Sequence, residues 1–337
     1  MSKNVEQEIQ YDSFNISLLC CMAEVGINIQ KAIAFLATDV IGIPTETVYG
    51  LAANAFDAQL VARIFAVKNR PTFDPLIVHT FSLEEVEKLV TSFPSPLKKL
   101  AEAFWPGPLT LLLPKKNVIP DIVTSGLLQV AIRIPAHPLT LNLLQNLSFP
   151  LAAPSANPFG YVSPTTAQHV IDQLGAKIPY VLDGGPCSIG LESTIVGMEE
   201  NKVMVYRLGG LKIEQIESVV GNVTLKIQQH SNPTAPGMLD SHYAPLKKLF
   251  AGIKEQLFDT FQAEQPFIIN FQNSIEDYPT DLQLVLSKTG NLEEAAANLF
   301  SYLRLADNSS ASIIIAELLP EIGLGRAVND RLRRGSN

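Results

Sequence analysis

Short apolar runs recur along this chain, and each stops at a proline, a glycine or a residue with chemistry to offer. Val40 to Ile43 ends at Pro44, Leu76 to Val78 delivers His79, and Leu109 to Leu113 follows the turn Phe104-Trp105-Pro106-Gly107-Pro108. Val130 to Ile134, Tyr180 to Asp183 before Gly184-Gly185, Ile195-Val196, and Lys202 to Arg207 before Gly209-Gly210 continue the series. Runs this short, bounded by turn formers, read as buried strands. Helical stripes lie among them, such as Leu60, Val61, Ile64 and Phe65 behind an N-cap at Asp57. Strands interleaved with helices restrict the chain to an α/β fold.

The pattern restarts from Lys247. Phe267 to Asn270, Leu284 to Ser287 and Ser312 to Ala316 read as strands, and Leu292 to Leu303 as a helix with apolar residues at 292, 295, 299 and 303. That is a second, smaller, mostly parallel α/β domain. It lacks a G-x-G-x-x-G after its first strand, so nucleotide binding there has no support. A length of 337 residues accommodates two such domains. The expected boundaries are 1–27 as an N-terminal extension, 28–213 as the first domain, 214–246 as a linker, and 247–337 as the second domain.

Charge and cysteine usage exclude several classes. The net charge is −8, and only 17% of residues are charged, which argues against stable binding to nucleic-acid backbone. Three cysteines, two of them adjacent at Cys20 and Cys21, form neither a disulfide framework nor a metal spacing. A reducing, cytoplasmic setting follows. No apolar stretch approaches the ~18 residues of a membrane span. Glu6, Glu8 and Asp12 give the N-terminus the wrong charge for a signal peptide.

Two pieces carry the chemistry. Lys68-Asn69-Arg70-Pro71 places two cations on one turn, and Pro154-Ser155-Ala156-Asn157 places a hydroxyl and an amide after a buried strand. Together they offer a point charge, a planar fork and short donors, which suit a polyphosphate without a Walker motif. Lys68 and Arg70 read equally well as cations complementing the C-terminal end of a helix dipole. Ser163-Pro164 reads as a helix start, with Ser as N-cap, and so as a seat for an anion close to Asn157. Arg133 sits inside Val-Ala-Ile-Arg-Ile, where a buried face would demand an anionic partner and an exposed one would not. His79 is either structural or part of a site. Between the domains, Pro233, Pro236 and Gly237 precede His242-Tyr243. Those two rings are unusual for a passive tether, and the segment is expected to act as a lid, although Tyr243 could equally pack against the second domain.

In order, the chain contains Pro44-Thr45-Glu46-Thr47-Val48-Tyr49-Gly50, Lys68-x-Arg70-Pro71, Pro75-Leu76-Ile77-Val78-His79, Trp105-Pro106-Gly107-Pro108-Leu109-Thr110, Pro154-Ser155-Ala156-Asn157 and Glu192-Ser193-Thr194. This series resembles the YrdC-like family. Pro236-Gly237-Met238, His242-Tyr243-Ala244-Pro245, Gly323-Leu324-Gly325 and Asp330-Arg331-Leu332 resemble the linker and second domain of its long form. The resemblance covers roughly residues 28–334. It implies a twisted open sheet followed by a smaller Rossmann-like domain, and the synthesis of L-threonylcarbamoyladenylate from L-threonine, bicarbonate and ATP. The product would pass to a tRNA threonylcarbamoyl transferase complex.

By that resemblance Lys68, Arg70, Asp74, Asn157, Ser163, Thr165, Arg207 and Tyr243 would serve ATP. Thr45, Thr47, His79, Arg133, Ser155 and Ser193 would serve L-threonine. Mg²⁺ is expected with the phosphates and no organic cofactor is expected. Gln129 stands where the family often has Thr, Asp74 where Asn is common, and Arg207-Leu208-Gly209 replaces Arg-Pro-Gly. Two other classes remain compatible with the fold: an RNA-binding module, and a different carbamoyl-transfer enzyme. The low charge opposes the first, and the absence of Cys pairs of the right spacing opposes the second.

Overall fold

The computed structural model describes residues 22–227, 235–236 and 242–336. The apolar runs pair into one 11-stranded mixed sheet. Its order is Glu24–Gly26, Tyr180–Leu182, Ile41–Ile43, Gly50–Asn54, Leu151–Ala152, Ile77–His79, Gln129–Arg133, Leu109–Pro114, Thr194–Glu199, Lys202–Arg207 and Thr224–Leu225. The strand Ile77–His79 runs parallel to Gln129–Arg133, with His79 opposite Arg133. Both side chains therefore leave the sheet at the same edge. Leu109–Pro114 is parallel to Thr194–Glu199, which brings Ser193 to that edge too. Ser155 is tied to Gly50 by an isolated bridge.

Local chemistry sets the helices. Asp57 caps Ala58–Lys68 through hydrogen bonds from the Gln59 and Leu60 amides. Lys68 is the last helical residue rather than the first one past it, and Asn69 ends the helix in the left-handed region at φ 52°. The expected helix start at Ser163-Pro164 is not there. Thr166 is the N-cap instead, accepting from the His169 amide, and the helix runs Ala167–Leu174. Ser163 donates its hydroxyl to Glu192, so it offers no cap, and the anion seat expected from it does not form. Glu24–Gly26 lies inside the segment expected to be an extension, yet it is the edge strand of the sheet.

The second domain has a fully parallel sheet in the order Lys248–Gly252, Ile313–Glu317, Phe267–Asn270 and Gln283–Val285. The helix Leu292–Asn308 outruns its expected end at Leu303, which adds Arg304 and Asp307 to it. That helix and Gly323–Gly335 face the first domain. Leu208, Ile216, Tyr243, Phe300 and Leu332 belong to one buried apolar cluster, so the core is continuous across the boundary. Gly190, at φ +74°, comes so close to the backbone of Ala296 and Ala297 that a Cβ would overlap it. No helix among the described residues is long and apolar enough to cross a membrane.

Candidate active site

A small cavity of about 60 Å³ opens where the strand ends converge. Thr45, Thr47, His79, Arg133, Ser155 and Ser193 line it, as do Arg70, Arg207 and Tyr243. The sequence order therefore brings nine expected site residues around one space. Lys68, Asp74, Asn157, Ser163 and Thr165 stand behind this wall.

Arg133 is buried and held on three sides. One terminal nitrogen lies 2.6 Å from Glu46 Oε1, the other donates to Thr47 Oγ1 at 2.7 Å, and Nε donates to the Gly107 carbonyl at 3.1 Å. Glu46 is thus the anionic partner that a cation in this strand requires. Thr45 donates to the Val48 carbonyl at 2.6 Å and lies 2.7 Å from the Thr47 hydroxyl. His79 is buried beside Arg133. Burial first, then that guanidinium, pushes its pKa down to about 3, so the ring is neutral. Its Nδ1 has no hydrogen-bond partner.

Arg70 forms a buried ion pair with Asp74 at 2.8 Å, and also donates to the Asp74 and Pro75 carbonyls. Asp74 thereby acts as the counter-ion of Arg70, behind the cavity. Arg207 donates to the Ser193 carbonyl at 3.0 Å, to its hydroxyl at 3.1 Å, and to the Pro236 carbonyl at 3.4 Å. The Ser193 hydroxyl also lies 2.7 Å from that of Thr110. Gly209 lets the following turn pass against this segment, since a Cβ there would overlap the Glu192 carbonyl.

Lys68 is 1% exposed. Its ammonium donates to the Ser155 carbonyl at 2.5 Å and to the Asn157 carbonyl. Burial, and then the charge of Arg70, holds its pKa well below the usual lysine range, although Asp74 opposes this. Asn157 donates to the Pro158 and Tyr161 carbonyls at 2.8 Å each, leaving its Oδ1 without a donor. Thr165 faces Ser301 of the second domain at 2.9 Å.

Four contributors were quoted within motifs but not assigned to the site. Glu46 was signalled by Arg133, which needed an anion. Glu192 lines the cavity, and Arg331 reaches its carboxylate from the second domain. His242 lines the cavity beside Tyr243, with ring centroids 4.1 Å apart. Tyr243 packs against the second domain, its ring stacked on Phe300 at 5.8 Å, while also lining the cavity. Residues 228–234 and 237–241 of the expected lid lie outside the described residues.

Comparison with known proteins agrees with this architecture. Residues 34–209 match the Sua5/YciO/YrdC family, described as "Telomere recombination". Residues 211–336 match a family described as "Threonylcarbamoyl-AMP synthase, C-terminal domain". The threonylcarbamoyl-AMP synthase of Pyrococcus abyssi is 41% identical over 88% of this chain and 90% of that protein. The Bacillus subtilis protein of the same name is 38% identical over 91% of this chain and 92% of its own length. The crystal structure of P. abyssi Sua5 complexed with L-threonine superposes with a TM-score of 0.85 at 38% identity, covering 93% of this chain and 97% of that one. With both domains matched and the motif residues gathered around one cavity, the chain belongs to the threonylcarbamoyl-AMP synthase family in its two-domain form.

Proposed function

We propose that this protein condenses L-threonine, bicarbonate and ATP into threonylcarbamoyl-AMP, releasing pyrophosphate and water. One observation carries the nucleotide half of this reading. Arg70 and Arg133 each have a buried carboxylate partner, whereas Lys68 and Arg207 have no ion pair within 4.0 Å among the described residues and rest on neutral oxygens. Two buried cations held only by carbonyls and a hydroxyl are costly, and a polyphosphate would neutralise both. The relative whose structure contains L-threonine supports the other half. Arg133 presents a fork suited to a carboxylate, and the neutral His79 and the Thr47 oxygen suit an amino group.

The chemistry needs no protein nucleophile. The amine of threonine combines with carbon dioxide from bicarbonate to give a carbamate. A carbamate oxygen then attacks the α-phosphorus of ATP, and pyrophosphate leaves with the electron pair of the broken P–O bond. The protein contributes position and positive charge, which lower the barrier as charge builds on the leaving group. Mg²⁺ would arrive with the phosphates. Among the described residues no three His, Cys, Asp or Glu side chains gather to hold a metal, and Asp74, Glu46 and Glu192 are each committed to an arginine.

A cavity of about 60 Å³ is much smaller than ATP. ATP therefore requires the wall formed by Pro236, His242 and Tyr243 to retreat. The product would be consumed by a tRNA-modifying transferase, and a cytoplasmic setting belongs to the same proposal. Pyrophosphate release tested with a panel of amino acids checks this proposal. Release should require ATP, bicarbonate and L-threonine together, and equal turnover without threonine would sink it.

A further inference from the structure

Of the charged side chains that the second domain sends toward the first, Arg331 reaches a residue that lines the cavity. Arg331, on the helix Gly323–Gly335, is 0% exposed and the largest fully buried side chain among the described residues. Its Nε donates to Glu192 Oε2 at 2.9 Å, one terminal nitrogen donates to the Leu208 carbonyl at 2.7 Å, and the other donates to Asp330. The guanidinium carbon lies 4.8 Å from the centroid of the Tyr243 ring.

We propose that Arg331 is a positioning residue through which the second domain fixes the nucleotide side of the active site. This rests on the synthase reading above. Glu192 and Tyr243 both line the cavity, and Leu208 follows Arg207, which lines it too. The second carboxylate oxygen of Glu192 accepts from Ser163 at 2.5 Å, and its carbonyl accepts from the Gly210 amide at 2.8 Å. Ser193, next in sequence, accepts from Arg207 with both its carbonyl and its hydroxyl. One guanidinium thus ties together the two turns between which Arg207 is held. It also supports one face of the Tyr243 wall.

Stability by itself does not call for this arrangement. Apolar residues of similar volume often replace a buried ion pair without loss, so a fork that binds three separate segments is better explained by the geometry it imposes. Arg133, on the threonine side, contacts none of the groups that Arg331 holds. Ser193, expected on the threonine side, is held by Arg207 and Thr110 rather than by Arg331, so the effect should fall mainly on ATP.

Arg331→Met, Arg331→Lys and the charge-free pair Arg331→Met/Glu192→Gln test the proposal in the full-length protein. KM for ATP and for threonine, kcat, and thermal melting are measured for each. Arg331→Met and the double variant, where they melt cooperatively, should show an ATP KM raised about tenfold or more, while the threonine KM stays within about threefold. Arg331→Lys keeps the charge but loses the fork, and should show the same asymmetry at reduced size. Unchanged constants in a folded variant, or equal changes on both substrates, would overturn the proposal. If the wild-type protein releases no pyrophosphate, the synthase reading fails first. Calorimetry with threonine, and with an ATP analogue carrying CH₂ at the α,β-bridge, then decides the role of Arg331 on its own. Equal loss of both ligands, or of neither, counts against it.

Discussion

Glu46 Oε1 stands 2.6 Å from a terminal nitrogen of Arg133, in a place where both side chains are buried. The pair holds a fork at the cavity with its charge balanced, so an incoming carboxylate must share Arg133 with Glu46. Arg133→Leu leaves Glu46 buried without its partner and should cost about 3–5 kcal/mol of stability in urea unfolding. Adding Glu46→Gln should recover much of that loss. In both forms threonine should bind far more weakly while the ATP requirement changes little. If ATP binding fails and threonine titrates normally, the two halves of the cavity have been assigned the wrong way round.

Lys68→Ala and Arg70→Ala should each lower the rate of pyrophosphate release on the order of 10²-fold or more, because each removes positive charge from a phosphate site. The two should differ in stability. Arg70→Ala strands Asp74, its 2.8 Å partner, and should unfold at lower urea than Lys68→Ala, which strands only neutral carbonyls. Near wild-type turnover in Lys68→Ala would mean that its ammonium serves only to brace the Ser155 and Asn157 carbonyls.

Three histidines make the fold sensitive to acid. Burial, and then nearby arginines, hold His79 at about 3, His169 at about 4, and His242 well below its usual value. A histidine depressed in the folded state contributes no pH dependence while both states are neutral. Below about pH 6.5 the unfolded chain takes up protons that the folded chain refuses, so stability falls as pH falls. From His79 and His242 alone the slope should approach about 3 kcal/mol per pH unit, with the partly exposed His169 adding less. Melting temperatures from pH 7 down to pH 5 check this, since the window lies above most carboxylate titration. A flat profile there would mean that the rings are open to solvent.

Asp307 ties the first domain, the linker and the start of the second domain together, one contact to each. It accepts from the Tyr161 hydroxyl at 2.6 Å and from the Leu246 and Lys247 amides at 3.1 and 2.8 Å. Asp307→Ala should cost about 2–4 kcal/mol in urea unfolding because it removes a charged acceptor shared by three half-buried hydrogen bonds. Threonine affinity should hold, since none of these groups lines the cavity. A loss of threonine affinity without a loss of stability would contradict this placement.

Strand runs bounded by Pro and Gly were legible in the sequence, because burial on both faces of a sheet demands nearly unbroken apolar residues. His79 and Arg133 were legible as ends of such runs, and their parallel pairing places them side by side. Ser163 misled because Ser-Pro has the local grammar of a helix start, whereas a tertiary partner 29 residues away, Glu192, claims its hydroxyl. Lys68 was legible as a cation of the turn, but the two carbonyls on which its ammonium rests were not, because that contact depends on a loop 87 residues further on. Arg331 could not be placed at all. Its spacing on a polar helix says nothing of a carboxylate 139 residues earlier.

That separation bears on how the protein is made. Domains generally fold in the order in which they are synthesised, so the first domain emerges while Glu192 still lacks Arg331. Burial would push such a carboxyl upward, whereas in the finished protein Arg331, then Arg207 and the Ser163 hydroxyl, hold it below the ordinary carboxylate range. The nascent first domain thus holds this acid beside its cavity with Arg207 and Ser163 alone. Arrival of the helix Gly323–Gly335 adds Arg331, the only one of the three that the first domain cannot supply for itself.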